Sequence, residues 1–216
     1  MLRVPPWVAR AFWSHYGRHA WDSVHRGGLV DEVVAALERH GAQRGGIVLD
    51  AGCGTGEVAI ACARRGYRVV AADFAPGMIE GATRRVAEAP GLPVVVQVAD
   101  LGRAWPWPAA SFDHALAISV LQALPDPAAA LGELARVVRQ GGLLVIVHRR
   151  RPPDSARTAP GPQRSLWRVA KVLGDRVGTR YWLPPTLAAM LSTAGFEVLT
   201  DAGDDLAVIV ARRTGG

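Results

Sequence analysis

A chain of 216 residues suits one α/β domain and can bury a substantial core. Half of its residues are apolar, yet no run approaches the ~18 needed to cross a bilayer, and the short, proline-broken Met1–Pro6 reads as no leader. The net charge of +6 is local: residues 149–181 hold eight arginines and one lysine against Asp154 and Asp175, while the remainder nets −1.

Residues 1–28 form a polar, aromatic arm in which Trp7, Trp13, Tyr16 and Trp21 recur at near-helical spacing, the pattern of a helix packed through its rings. A helix is predicted from Leu29 to His40. An apolar strand from Ile47 ends on Asp50 and breaks into Gly52, Gly54 and Gly56. Alternate glycines after a strand let the backbone approach a ligand, because no Cβ obstructs it. The helical run Glu57–Arg65 then points its amino end at that ligand. A second buried strand from Arg68 delivers Asp73 twenty-three residues after Asp50, the separation at which an acid meets a ribose diol. Cys53 and Cys62 lack zinc-type spacing and read as small buried thiols, which suits a reducing cytoplasm; no metal site is expected.

The glycine spacing distinguishes cofactors. Dinucleotide sites use G-x-G-x-x-G, with the pyrophosphate on the helix end. Here the order is Gly52-x-Gly54-x-Gly56 behind Asp50, which repels a pyrophosphate and suits a cation. The stretch resembles motif I of the class I S-adenosylmethionine-dependent methyltransferases. Further matches follow in order: Asp73-Phe74-Ala75-Pro76-Gly77-Met78, a third strand Val94–Ala99 ending at Asp100-Leu101, and W-P-W-P-A-A-S-F-D (105–113) leading into a fourth strand, Asp113–Ser119. E-L-A-R-V-V-R-Q-G-G-L-L-V-I-V (133–147) resembles the family's helix, glycine turn and fifth strand, with Gln140 where a proline usually stands. A helix Pro185–Ala194, a strand Phe196–Thr200 and a last strand Leu206–Arg212, joined by a short connection, complete the pattern.

The resemblance implies an α/β, Rossmann-like, doubly wound seven-stranded sheet, mostly parallel with an antiparallel last strand. It forms a single domain: arm (1–28), cofactor core (29–148), basic substrate-side insertion (149–184) and carboxyl-terminal helix and strands (185–216). It further implies S-adenosylmethionine contacts at Asp50, Gly52, Gly54, Gly56, Asp73, Phe74, Met78, Asp100, Leu101 and Ser119, with S-adenosylhomocysteine as product. Asp73 takes the ribose hydroxyls, Phe74 and Met78 flank the adenine, and Asp100 accepts from its amino group.

Acceptor recognition falls outside this frame. In related enzymes a similar arm folds over the cofactor, so its rings, Tyr16 and Trp21 included, are read either as an aromatic wall beside the sulfonium or as packing. After the loop from Arg149, residues Ser165–Arg176 read as an amphipathic helix whose arginines, Arg168 among them, suit a carboxylate, a phosphate or an anionic lipid surface. The alternative is a solvated arginine-rich face, since the chain uses arginine twenty-four times and lysine once. Arg149 and Arg168 join Tyr16 and Trp21 as substrate-binding candidates. His148, at the carboxyl end of strand five, is the general-base candidate, ahead of His15 and His19; His114 reads as structural. The pattern is closest to the small-molecule group that includes ubiquinone and menaquinone biosynthesis enzymes. It points to methyl transfer to N, O or C of a small anionic or lipophilic metabolite, with peripheral membrane contact open. An RNA methyltransferase using residues 149–180, a non-catalytic cofactor-binding regulator and a nicotinamide-dependent oxidoreductase stand as alternatives; nucleic acid is disfavoured because no repeated aromatic–basic platform is present.

Overall fold

Seven apolar runs become strands: β1 (Ile47–Ala51), β2 (Arg68–Asp73), β3 (Val94–Val98), β4 (Phe112–Ile118), β5 (Val138–Arg149), β6 (Phe196–Ala202) and β7 (Leu206–Arg213). In the computed structural model, which describes residues 5–19, 27–150, 182, 184–203 and 206–215, they form one sheet in the order β3-β2-β1-β4-β5-β7-β6. The first five strands run parallel, and β7 is antiparallel to both β5 and β6. Strand order reverses between β1 and β4, so a crevice opens outside their carboxyl ends, where ligands of open α/β sheets bind.

Helices α2 (Gly27–Arg39), α3 (Glu57–Arg64), α4 (Pro76–Ala87), α5 (Pro127–Val137) and α6 (Pro184–Thr193) cover the sheet, and α1 (Pro6–His19) packs on α4. The central strands lack polar alternation because both faces are buried. Val48, Val69, Ala71, Leu116 and Val145 pack one way, against Val33 and Leu37 of α2 and Ala59 and Cys62 of α3. Leu49, Ala72, Ala115, Leu144 and Ile146 pack the other way, with Leu131 and Leu134 of α5 and Leu187 and Leu191 of α6. Asp126 begins α5 by accepting the Ala129 N–H at 3.0 Å, with Pro127 supplying the fixed φ of the first turn.

No helix links β3 to β4. The tryptophan–proline segment covers the sheet instead: Trp105 is buried, its ring meets Trp107 edge-on at 5.7 Å, and Trp107 meets Phe112 at 5.5 Å. Arg136 of α5 donates to the carbonyls of Trp107 (2.7 Å) and Trp105 (3.3 Å), and Glu133 accepts the Trp105 N–H at 2.9 Å. Prolines remove helical donors, so side chains of α5 take over the backbone bonding.

The expected glycine turn before the fifth strand lies inside β5. Phe112 pairs with Val138 and His114 with Leu143, so residues 139–142 bulge outward over a single residue of β4. A Cβ on Gly142 would collide with the Asp113 carbonyl oxygen, so only glycine fits. The bulge brings Arg139 to Asp113 at 2.6 Å, and the other carboxylate oxygen of Asp113 accepts the Ile47 N–H at 2.6 Å.

Within the arm, α1 lies against α4. Contact is backbone to backbone, since a Cβ on Gly77 would overlap the Ser14 carbonyl oxygen. Phe12 and Trp13 meet edge-on at 5.2 Å, whereas Trp7 is 71 % exposed and is not part of the packing. The predicted helix 165–176 lies outside the described residues.

Gly77→Ala is expected to lower unfolding free energy by ~1–3 kcal/mol in chemical denaturation, because α1 must shift. Gly132→Ala, on the exposed face of α5 with open space around it, is expected to add up to ~1 kcal/mol. Equal effects of the two substitutions would contradict the α1–α4 contact.

Candidate functional site

The crevice is built around residues 50–56. Gly52, Gly54 and Gly56 have φ of 79°, 53° and 81°, left-handed values that L side chains rarely adopt. The turn is anchored to β2: the N–H groups of Gly52 and Cys53 both donate to the Ala72 carbonyl, at 2.8 and 2.9 Å. Helix α4 packs against it through small residues, Gly81 facing Thr55 and Ala82 facing Gly56. One turn further along α4, Arg85 Nη1 donates to the Thr55 carbonyl at 2.7 Å and to its hydroxyl at 2.5 Å. Across the turn Val120 lies over Gly52, where a Cβ would stand 2.5 Å from Val120 Cγ2. The neighbouring Ser119 has φ 56°, a strained value for a non-glycine residue at the carboxyl edge of β4.

Two buried carboxylates share this turn. Asp50 pairs in register with Ala71, so Asp50 and Asp73 project from the same face of adjacent strands. Asp73 Oδ2 accepts the Gly54 N–H at 3.1 Å and Oδ1 the Ala75 N–H at 2.9 Å. Asp50 Oδ2 is buried with no protein partner. Burial first, then the neighbouring Asp73 charge, pushes the Asp50 carboxyl up to about 7, against the pull of the Ala59 N–H. Burial raises Asp73 to about 6, opposed by the N–H groups of Ala75, Gly54 and Phe74. A buried carboxylate with an open oxygen calls for a cation or a donor.

Residues 49–146 match a family described as a methyltransferase domain. The demethylmenaquinone methyltransferase of Thermus thermophilus is 36% identical over 165 residues, which cover 70% of this chain and 74% of that enzyme. The chain belongs to the class I S-adenosylmethionine-dependent methyltransferases. A ubiquinone biosynthesis O-methyltransferase of Xanthomonas axonopodis is 31% identical over 174 residues, 78% of this chain and 68% of that one. Among solved structures, the Burkholderia thailandensis 1,6-didemethyltoxoflavin-N1-methyltransferase with bound 1,6-didemethyltoxoflavin and S-adenosylhomocysteine shares the fold. Its TM-score is 0.71 over 100% of this chain and 92% of that one, at 22% identity.

The acid pair of this methyltransferase fits its cofactor, which carries an ammonium, a sulfonium and a ribose diol. Asp50 offers an unpartnered oxygen to a cation, and the carboxylate of Asp73 retains acceptor capacity beyond its two backbone bonds. When bound, S-adenosylmethionine supplies an electrophilic methyl carbon on positive sulfur. Phe74, next to Asp73 in the chain, is half-buried, and Met78 on the first turn of α4 is buried. Leu101 is a core side chain, and its carbonyl accepts the Trp105 indole N–H at 3.2 Å. Asp100 is exposed, accepts the Gly102 N–H at 3.0 Å and pairs with Arg103 at 3.2 Å, so any adenine contact competes with both.

On the acceptor side, Arg149 is half-buried at the end of β5, His15 is exposed on α1, and Trp21, Arg168 and the side chain of Tyr16 lie outside the described residues. His114 accepts the Leu143 N–H at 3.1 Å, and burial holds it near 4, neutral and structural. Arg85 and Val120 went unseen in the sequence reading. The only signal for Arg85 was its place one turn after Gly81 on the small-residue face of α4.

Both acids have folded values above their unfolded one. The stability contributed by their protonated forms is therefore full below about pH 4 and is lost as pH rises through about 6 to 7. Asp50→Asn is expected to raise the melting temperature of the ligand-free protein at pH 8 while removing most of the stabilisation that S-adenosylmethionine confers. A lower melting temperature for the ligand-free variant would contradict the orphaned charge. Asp73→Ala is expected to weaken cofactor binding by ~1–3 kcal/mol in calorimetry. An unchanged dissociation constant would remove Asp73 from the site.

Proposed function

We propose that this methyltransferase acts on a small lipophilic, ring-bearing acceptor of the quinone-precursor kind. The buried acid pair and its glycine turn carry the methyl-transfer reading. The acceptor class is supported by the two long matches to quinone-biosynthesis methyltransferases, at 36% and 31% identity. The arginine-rich segment 149–181, entered directly from β5 at the acceptor side, supplies cationic groups for a phenolate, a carboxylate or an anionic membrane surface. Among the described residues no helix is long and apolar enough to cross a membrane.

Transfer is an in-line displacement by the acceptor's own nucleophile, so no enzyme nucleophile is needed and alignment supplies much of the rate. The protein's part is to hold the turn 50–56 through Arg85 and Ala72, keep the carboxylates ionised against a cation, and shape the acceptor wall from residues 119–124.

The test supplies tritiated S-adenosylmethionine with three acceptors: a short-chain demethylmenaquinol analogue, a simple catechol and bulk transfer RNA. Label is expected in the solvent-extractable quinol or catechol. Label confined to RNA would replace this reading with RNA methylation, and cofactor binding without any transfer would favour a regulatory role.

A further inference from the structure

At the carboxyl end of β5 the ring of His148 is bonded on both edges. The residue is 1 % exposed, and its Nε2 accepts the backbone N–H of Trp182 at 3.1 Å. A ring nitrogen that accepts an N–H carries no proton, so in the neutral ring the proton sits on Nδ1. Nδ1 faces Gln122 Oε1 at 3.4 Å and donates to it. The Trp182 indole stacks on the imidazole, with centroids 4.9 Å apart and planes 27° from parallel.

These partners belong to separate parts of the chain. Gln122, itself buried, sits in the 3-10 turn Leu121–Ala123, next to the Val120 that covers Gly52. Trp182 lies just beyond the basic segment. By strand alternation His148 projects from the face that holds Leu144 and Ile146, opposite the face of Asp50. The imidazole thus joins β5, the turn beside the cofactor crevice and Trp182, and has no lone pair left to take a proton without breaking a bond.

We propose that His148 is a positioning residue, not the general base: it stays neutral and clamps the 119–124 turn and Trp182 together as adjoining walls of the acceptor site. Burial favours the neutral ring. Among the described residues, the charges acting on it are Arg150, which also disfavours protonation, and Asp201, which favours it; these two pair with each other. Protonation puts a hydrogen on Nε2 facing the Trp182 N–H, so acid opens the clamp.

The consequence for turnover rests on the acceptor reading above; the ring's protonation state does not. Long-range proton–nitrogen spectra of the histidine-labelled protein, recorded from pH 5 to 8, are expected to show His148 with its proton on Nδ1 and titrating below the ordinary histidine range. A proton on Nε2, or titration at or above that range, overturns the proposal. His148→Gln places an amide oxygen where Nε2 accepts, whereas His148→Phe keeps only the stack. With the acceptor that the labelling assay identifies, Phe is expected to raise acceptor KM by about 10-fold, the scale of lost hydrogen bonds, with a smaller change in kcat, and Gln is expected to rescue most of it. Equal losses of about 100-fold or more in kcat for both variants would instead mark a general base and overturn the proposal. If neither variant folds or no acceptor turns over, the spectra of the unaltered protein decide alone.

Discussion

Two carboxylates held out of water on one face of neighbouring strands are the constraint around which this protein is arranged. Asp50 and Asp73 lie at the ends of β1 and β2; after β1, next to the point where the strand order reverses, the backbone turns away on three left-handed glycines. Their burial works against the ligand-free fold, because like charges meet and Asp50 keeps one oxygen without a protein partner. Backbone donors from Gly54, Ala75 and the first turn of α3 offset part of that penalty. The remainder is the driving force by which a cationic cofactor is selected over a pyrophosphate.

The surroundings keep that turn from relaxing. Helix α4 approaches through Gly81 and Ala82, reaches back with Arg85, and is itself crossed by α1 at Gly77. The opposite side is set by the residues after β4, with Ser119 strained and Val120 resting on Gly52. Where a helix between β3 and β4 would cover the sheet, tryptophan rings do so, fastened to α5 by Glu133 and Arg136. Side-chain packing thus takes over a task that backbone hydrogen bonding performs elsewhere in the fold. On the other face of the sheet from the acid pair, His148 joins β5 to the turn Leu121–Ala123 and to Trp182.

The glycine turn and its two buried strand-end acids were legible in the sequence because backbone demands are written in residue type. A ligand-accessible turn needs Gly52, Gly54 and Gly56, and two acids at strand ends need buried apolar runs before them. The seven-stranded sheet with its antiparallel last strand followed from the family resemblance that those motifs carry. Features made by contact between distant segments were not legible. The collision that demands Gly142 comes from Asp113, and the one that demands Gly77 comes from Ser14. His148 is a base candidate from its place at the carboxyl end of strand five; nothing in its neighbourhood in sequence announces Gln122 or Trp182. Of the two readings of the arm's rings, aromatic wall or packing, the exposed Trp7 does not fit packing.

The central claim is that the crevice selects its ligand by an acid pair that ionises when a cation arrives. Calorimetric titration of S-adenosylmethionine at pH 6.5, in two buffers of different ionisation enthalpy, measures the protons exchanged on binding. Both raised carboxyl values, about 7 and about 6, require net proton release, because the cofactor's charge pulls them down. A binding enthalpy that differs between the buffers in the sense of release is the expected result. Identical enthalpies, or proton uptake, would contradict the account.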